Sequence, residues 1–410
     1  MAGPFDSHLN RVFSKGFYRD KDFDFSVRCV LGASAHGGSD VGEVLAAIDG
    51  VPDGDHQRWF DAWLALGRRV RADADAERDA GRTVSASSSY LRAATYFAVA
   101  VNAASALKHD DPLLPTFRLQ RSSWDAFVDA CGQRVTRVQI PYDGTTLPGY
   151  FFRTVGHEQR PTLIMVNGSD GAISDQWSSG AGAALARGYH VLMFDGPGQQ
   201  SMLFERGTRF RADWGAVLTA VVDFAVAQDG VDPDRLVGYG ISQGGYWLPS
   251  ALATEHRLAA AVADPGVVRV AASWESSIPA SLMKLFHAGK REAFDRDMAL
   301  GMRLSPTAAR TWKFRARPYG QDSYYDTLAE VDRYVLSDTE AARITTPLIL
   351  TAPEHEQFWP GQSEMLAERT GGRAEVVHFT AAEGADYHCQ PLARRLTETR
   401  VFARLDQILT

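Results

Sequence analysis

Residues 237–247 of the chain read VGYGISQGGYW. An apolar run leads into a serine with glycine two positions before it and two after. The segment Gly240-Ile241-Ser242-Gln243-Gly244 is thus G-x-S-x-G, ahead of a helix-capable stretch. This strand–turn–helix context is what a nucleophile elbow requires. In such a turn the serine takes a strained backbone conformation. Neighbouring chain comes too close for side chains, so glycines flank it. The hydroxyl then projects from the end of a sheet, near the positive end of the next helix. The competing reading is a tight glycine turn in a Rossmann-like sheet, and the surrounding sequence has to decide.

On both sides of the serine, short apolar runs alternate with helical patterns. "PTLIMVNGSDG" is a strand ending in a small-residue loop, and "GAGAALARGY" a helix. "HVLMFDGPGQQ" is a strand with a second glycine-rich end, and "WGAVLTAVVDFAVAQ" a helix. "ALATEHRLAAAVADPG" is helix then strand. Alternation of this kind implies parallel strands joined by crossover helices, a mostly parallel, doubly wound α/β sheet. Just before it, "VTRVQIPYDGTTLPGYFFRT" reads as two strands around a turn at Asp143-Gly144. The alternation stops over about residues 267–343, where helical patterns suggest an insertion. It resumes with "TTPLILTAPEHE" and "AEVVHFTAAEG", and "LARRLTETRVFARLDQIL" closes the chain as a helix.

Residues 1–130 look different. Three long segments carry apolar residues at three- and four-residue spacing, with the serines among residues 85–89 as N-cap oxygens for the third. The expected organisation is a helical N-terminal cap domain over 1–130 and an α/β domain over 131–410, with the helical insertion before the strand that carries the acid. At roughly 150 residues per domain, a chain of 410 has room for both.

Composition narrows the function classes. Hydrophobic residues make up 45% and charged residues 23%, as in an ordinary globular protein. A formal net charge of -7 with scattered arginines argues against a nucleic-acid partner, which would need a clustered basic face. Cys29, Cys131 and Cys389 are far apart and odd in number, so neither a disulfide framework nor a zinc site is expected. No apolar run approaches the ~20 residues needed to cross a bilayer. The first residues, "MAGPFDSHLNRVFSKGFYRD", lack the apolar core of a signal peptide. The expectation is a cytoplasmic protein with no membrane partner and no zinc site.

A serine hydroxyl is a weak nucleophile and needs a base. Where it sits on such a turn, the acid and the histidine follow it in the chain. "VVHFTAAEGADYHCQPLARR" offers two histidines. His378 falls inside an apolar strand and reads as structural. His388 lies beyond the strand, just ahead of the last helix, and is the expected base. "TTPLILTAPEHEQFWPGQ" offers Glu354 and Glu356 as the acid, with His355 between them read as exposed. A resemblance to the many hydrolases that carry an aspartate in this loop four residues before a proline points, counting back from Pro360, to Glu356, and Glu354 stays open. For the oxyanion hole, one backbone donor is expected at Gln243, after the nucleophile, and the other at Gly168 or Ser169 in "VNGSDGAISDQW". Asp170 in that loop fits either a polar substrate group or a turn cap.

These residues together resemble the α/β-hydrolase superfamily over roughly residues 135–410. A narrower likeness is to the branch of 2,6-dihydroxypseudooxynicotine hydrolase and the hydrolases that shorten aromatic polyketides. That likeness rests on the helical N-terminal domain, on "FDGPGQQ" at residues 194–200, similar to FDGPGQG, and on the His388-Cys389 pair. The chain departs from the branch in having glutamate in the acid loop and Gln200 after GPGQ. The resemblance implies an α/β-hydrolase fold and a serine hydrolase acting through an acyl-enzyme. It implies a small-molecule substrate, no metal or organic cofactor, and a site between the helical domain and the sheet. It also suggests a homodimer, although "YLRAATYFAVAVNAA" could as well pack internally. Several members of the branch cleave a carbon–carbon bond next to a ketone, a retro-Claisen type of hydrolysis, and others are esterases. A large aromatic pocket would suit such substrates. Candidates to line it are Tyr246 and Trp247 after the elbow, Trp274 in the insertion, and Phe358 and Trp359 beside the acid; each also suits a core. Glu275 could sense a polar substrate group or lie on the surface. The alternatives are a carboxylesterase, a peptidase-like hydrolase, or a cyclase or binding relative of the same fold.

Overall fold

A computed structural model of the chain describes residues 16–156 and 158–410. Residues 1–15, on which the expectation of no leader largely rests, lie outside them. No helix among the described residues is long and apolar enough to cross a membrane. The chain divides into two compact units, one ending at Cys131 and the other running Gly132–Thr410.

The described part of the first unit is helical: α1 (Lys21–Ala33), α2 (Val41–Ile48), α3 (His56–Asp79), α4 (Thr83–Ala106) and α5 (Leu113–Ala130). Aspartates cap three of these helices, Asp20, Asp40 and Asp55 each accepting first-turn amides. Trp63, Phe97 and Trp124 are fully buried in this unit. The serines among residues 85–89 do not cap α4. That helix already starts at Thr83, with no side-chain cap, so they lie inside its first turns.

The second unit is built on one sheet in the order β1-β2-β4-β3-β5-β6-β7-β8. Its strands are β1 (Arg134–Tyr142), β2 (Thr145–Arg153), β3 (Arg160–Val166), β4 (His190–Phe194), β5 (Val231–Ile241), β6 (Ala260–Asp264), β7 (Leu348–Pro353) and β8 (Ala374–Phe379). β3 to β8 are mutually parallel, and β2 runs antiparallel to β1 and β4. β1 and β2 form a hairpin closed by Asp143 and Gly144, both at positive φ, as a two-residue turn between twisted strands demands. β4 and β6 are buried at every position, the pattern of strands covered on both faces. The connections include α6 (Gly215–Val226) before β5 and α7 (Gly244–Leu252) after it.

Between β6 and β7 lie α8 (Ala280–His287), α9 (Arg291–Leu304), α10 (Pro306–Ala316) and α11 (Tyr324–Asp332). The apolar pattern did not signal α10, which buries no residue fully. Its start is set locally by Ser305 accepting the Ala308 amide and by Pro306 at the first position. α12 (Gln362–Arg369) links β7 to β8, and α13 (Arg394–Leu409) ends the chain. This is the α/β-hydrolase architecture expected from the sequence.

Candidate active site

The site forms where β5, β7 and β8 end. β5 runs straight into the turn at Ser242, whose φ of 55° is left-handed, costly for any residue with a side chain. The turn is held from both sides: Ser242 donates its amide to the Asp264 carbonyl at 2.7 Å, and Gly245 donates to the Ser242 carbonyl at 2.8 Å. A Cβ on Gly240 would sit 2.3 Å from the Gly244 carbonyl oxygen, and one on Gly244 would sit 2.4 Å from that of Val166. Both elbow glycines are therefore required by close approach of backbone. α7 begins directly behind the serine, with its positive end towards it.

The loop after β8 brings His388 to this serine, Nε2 lying 2.9 Å from Ser242 Oγ. The loop after β7 brings Glu356 to the other side of the ring, its two carboxylate oxygens 2.8 and 2.9 Å from Nδ1. A carboxylate only accepts, so Nδ1 carries a proton and, in the neutral ring, Nε2 is free to take one from the serine. His388 and Glu356 side chains are 3% and 5% exposed. Burial raises the Glu356 carboxyl, but the imidazole and the amides of Phe358 and Trp359 outweigh it and hold the group below its ordinary value.

Glu354 does not reach His388. It is exposed and accepts the Ala381 amide at 2.8 Å. His355 is exposed and pairs with Asp386 at 2.7 Å, a bond that raises its pKa. His378, read as structural, points outward from β8, 66% exposed.

The loop after β3 lies against the nucleophile, and a Cβ on Gly168 would meet Ser242 Cβ at 2.9 Å. The Gly168 amide, one of the two alternatives for the second oxyanion donor, is already used: it donates to Asn167 Oδ1 at 2.8 Å. The amides of Ser169 and Gln243 have no acceptor among the described residues. Two uncommitted N–H groups near one serine hydroxyl is the arrangement that can stabilise a developing oxyanion. Asp170 is exposed and accepts from Ser169 Oγ at 3.0 Å.

The aromatic candidates separate. Phe358 and Trp359 pack against the His388 ring, with centroids 4.7 and 5.7 Å away. Trp274 is buried between Trp312 and Tyr319, and the Tyr319 hydroxyl lies 3.2 Å from Gln243 Nε2. Trp247 has no face left for a substrate. It stacks on Trp214, is fully buried, and donates Nε1 to the Arg211 carbonyl, so it is a core residue. Tyr246 is also buried in that core, against Tyr334. Glu275 is neither a lone surface group nor free for a substrate, because Arg269 grips both its oxygens, at 2.5 and 2.7 Å.

Sequence reasoning missed Asp264, Arg394 and Tyr239, which form a buried polar cluster behind the elbow. An aspartate at the end of an apolar strand and an arginine in the last helix were the only available signals. Among the described residues no group of three or more His, Cys, Asp or Glu could hold a metal ion.

The chain belongs to the alpha/beta hydrolase family, which it matches over residues 163–406. Its relatives include Hydrolase LUC6 of a Fusarium species, 28% identical over 97% of this chain and 98% of that protein. Hydrolase acrC of Aspergillus aculeatus is 35% identical over 58% of this chain. The 20-hydroxy-prefusarin hydrolase FUS2 of Gibberella moniliformis is 29% identical over 63%. The chain spans 60% and 62% of the lengths of acrC and FUS2, less than two thirds of each. Among solved structures, 2,6-dihydroxy-pseudo-oxynicotine hydrolase has the same fold, with a TM-score of 0.72 at 19% identity over 92% of this chain and 95% of that one.

Proposed function

We propose that the chain is a serine hydrolase that works through an acyl-enzyme, with Ser242 as nucleophile, His388 as general base and acid, and Glu356 orienting the imidazole. One observation carries this: a single buried imidazole bridges a strained serine hydroxyl and a buried carboxylate at hydrogen-bond distance on both sides. Ser242 Oγ attacks a carbonyl carbon while His388 Nε2 takes its proton. The amides of Gln243 and Ser169 hold the oxyanion. The bond to the leaving group breaks with its electron pair, and His388 returns the proton to that group. Water, deprotonated by the same imidazole, then releases the acyl group as a carboxylic acid.

The bond broken is a carbon–carbon bond next to a ketone, in an aromatic or polyketide-like small molecule. Such a leaving carbanion must be delocalised into a carbonyl or a phenolic ring to depart. The aromatic walls of Phe358 and Trp359 around the base suit a flat, conjugated acyl or leaving group and limit access of water. The name of the relative FUS2 points the same way, to a complex small molecule as substrate.

The test is a fluorophosphonate probe, with the adduct located by peptide mass spectrometry and Ser242→Ala as control. Labelling at Ser242 that the variant loses supports an activated serine, whereas folded protein left unlabelled, also by a smaller sulfonyl fluoride, ends the reading. Aryl β-diketones assayed beside aryl esters then decide the bond. Turnover of esters alone would make the protein a carboxylesterase, and a ring-closed product would make it a cyclase.

A further inference from the structure

Gln200 opens a short helix, Gln200–Phe204, in the loop after β4. Its φ is 29°, in the left-handed region, where a residue with a Cβ persists only if its surroundings hold it. It is also 4% exposed, although a glutamine of that size normally stays in water. Two facts show what the strained, buried side chain does. Its Nε2 donates to the Asp170 carbonyl at 3.1 Å. Its Oε1 is buried and has no donor among the described residues. A glutamine kept only for packing would be expected to pair both ends.

The neighbouring side chain acts on the same loop. Gln199 Nε2 donates to the carbonyls of Asn167 and Gly168, at 2.8 and 3.1 Å, while its Oε1 accepts the Gly196 amide at 2.8 Å. Three carbonyls of the loop, at 167, 168 and 170, are thus pinned by two consecutive glutamines. A carbonyl pinned on one side of a peptide fixes the direction of the next amide, since the peptide unit is planar. The Ser169 amide shares its peptide plane with the Gly168 carbonyl held by Gln199, and the Asp170 carbonyl held by Gln200 anchors the chain on the other side of that residue.

We propose that Gln200 is a positioning residue for the oxyanion donor at Ser169, and that its strained backbone is kept for that reach. The inference rests on the serine-hydrolase reading of the site. Gln200 touches neither substrate nor nucleophile in this role; it acts through the Asp170 carbonyl.

Two variants separate reach from backbone. Gln200→Gly relieves the strained φ and removes the arm, since glycine adopts positive φ freely. Gln200→Asn keeps an amide that tolerates positive φ, but its arm is one methylene too short to reach Asp170. The measurements are kcat and KM on an aryl ester, melting temperature, and fluorophosphonate labelling of Ser242. Both variants are expected to melt at or above the parent temperature, with kcat lower by about 10- to 100-fold, the usual range for a misplaced catalytic donor, and KM little changed. A parent-like kcat in either variant would overturn the proposal, and so would a fall in kcat that comes with a lower melting temperature. If the parent's Ser242 is labelled and the variants keep full kcat, only this proposal fails. If the parent's Ser242 is not labelled, the hydrolase reading beneath it fails.

Discussion

Arg394 pairs with Asp264 at 2.9 Å, both side chains shut away from solvent. The pair is tied to both arms of the site. The Asp264 carbonyl accepts the Ser242 amide at 2.7 Å and the Cys389 thiol at 3.1 Å, while Arg394 donates to the Cys389 carbonyl at 2.7 Å. Ser242, Cys389 and Gln390 all have left-handed φ, so one buried cluster braces the strained backbone beside both the serine and the histidine. Asp264→Asn leaves the Arg394 charge buried without its counter-charge. The expected loss of stability is about 3–5 kcal/mol, read from the urea midpoint. An unchanged midpoint would show that the cluster does not brace the site.

The two acid-loop glutamates make opposite forecasts. Glu356→Gln keeps the shape of the side chain but removes the charge facing Nδ1, and kcat should fall by roughly 10³- to 10⁴-fold, as for other triad acids. Glu354→Gln should leave kcat as it is. The reverse outcome would move the acid to Glu354. Stability adds a pH signature. Because the folded carboxyl of Glu356 is held below its ordinary 4.5, its contribution is present above that value and lost as pH falls through the lower folded one. Glu356→Gln should therefore show a shallower acid decline in melting temperature than the parent.

Gly168→Ala tests how tightly the loop after β3 lies on the nucleophile. The added methyl would meet Ser242 Cβ at 2.9 Å and the Ile241 carbonyl at 3.2 Å. A displacement of this kind should lower kcat by up to about 100-fold with an unchanged circular dichroism spectrum. Full activity would mean that the loop has room to move and is not an oxyanion element.

Asp175 offers a pH test near neutrality. Burial, with the nearby Asp170 charge adding to it, pushes its carboxyl up to about 7 despite a 2.9 Å bond from the Ala172 amide. A folded pKa above the unfolded 3.8 favours the native state at low pH, and that benefit is lost as pH rises towards 7. Asp175→Asn should remove this dependence, so its melting temperature should gain on the parent between pH 5 and pH 8. Parallel curves for the two proteins across that range would rule out a raised carboxyl.

Parts of this protein could be read from its sequence because they depend on local chemistry. The elbow at Ser242 was legible because close-packed backbone admits only glycine at 240 and 244, and that constraint is written in adjacent letters. The α/β sheet was legible because buried parallel strands and crossover helices impose different periods on their residues. Other features depended on partners far along the chain. Glu354 and Glu356 are two residues apart, and only the path of the loop after β7 decides which one meets His388. Gly168 and Ser169 are equal candidates by sequence, and only the Asn167 side chain, which occupies the Gly168 amide, separates them. Trp247 beside the elbow and Glu275 in the insertion looked available, but Trp214 and Arg269 fill their contact surfaces. The sequence by itself determined the fold, the strained serine and the short list of groups that could activate it. The tertiary structure decided which of those groups touch, and it revealed the Asp264–Arg394 cluster and the left-handed Gln200. Hydrogen bonds and burial act over a few ångströms of space, and sequence distance does not measure that space.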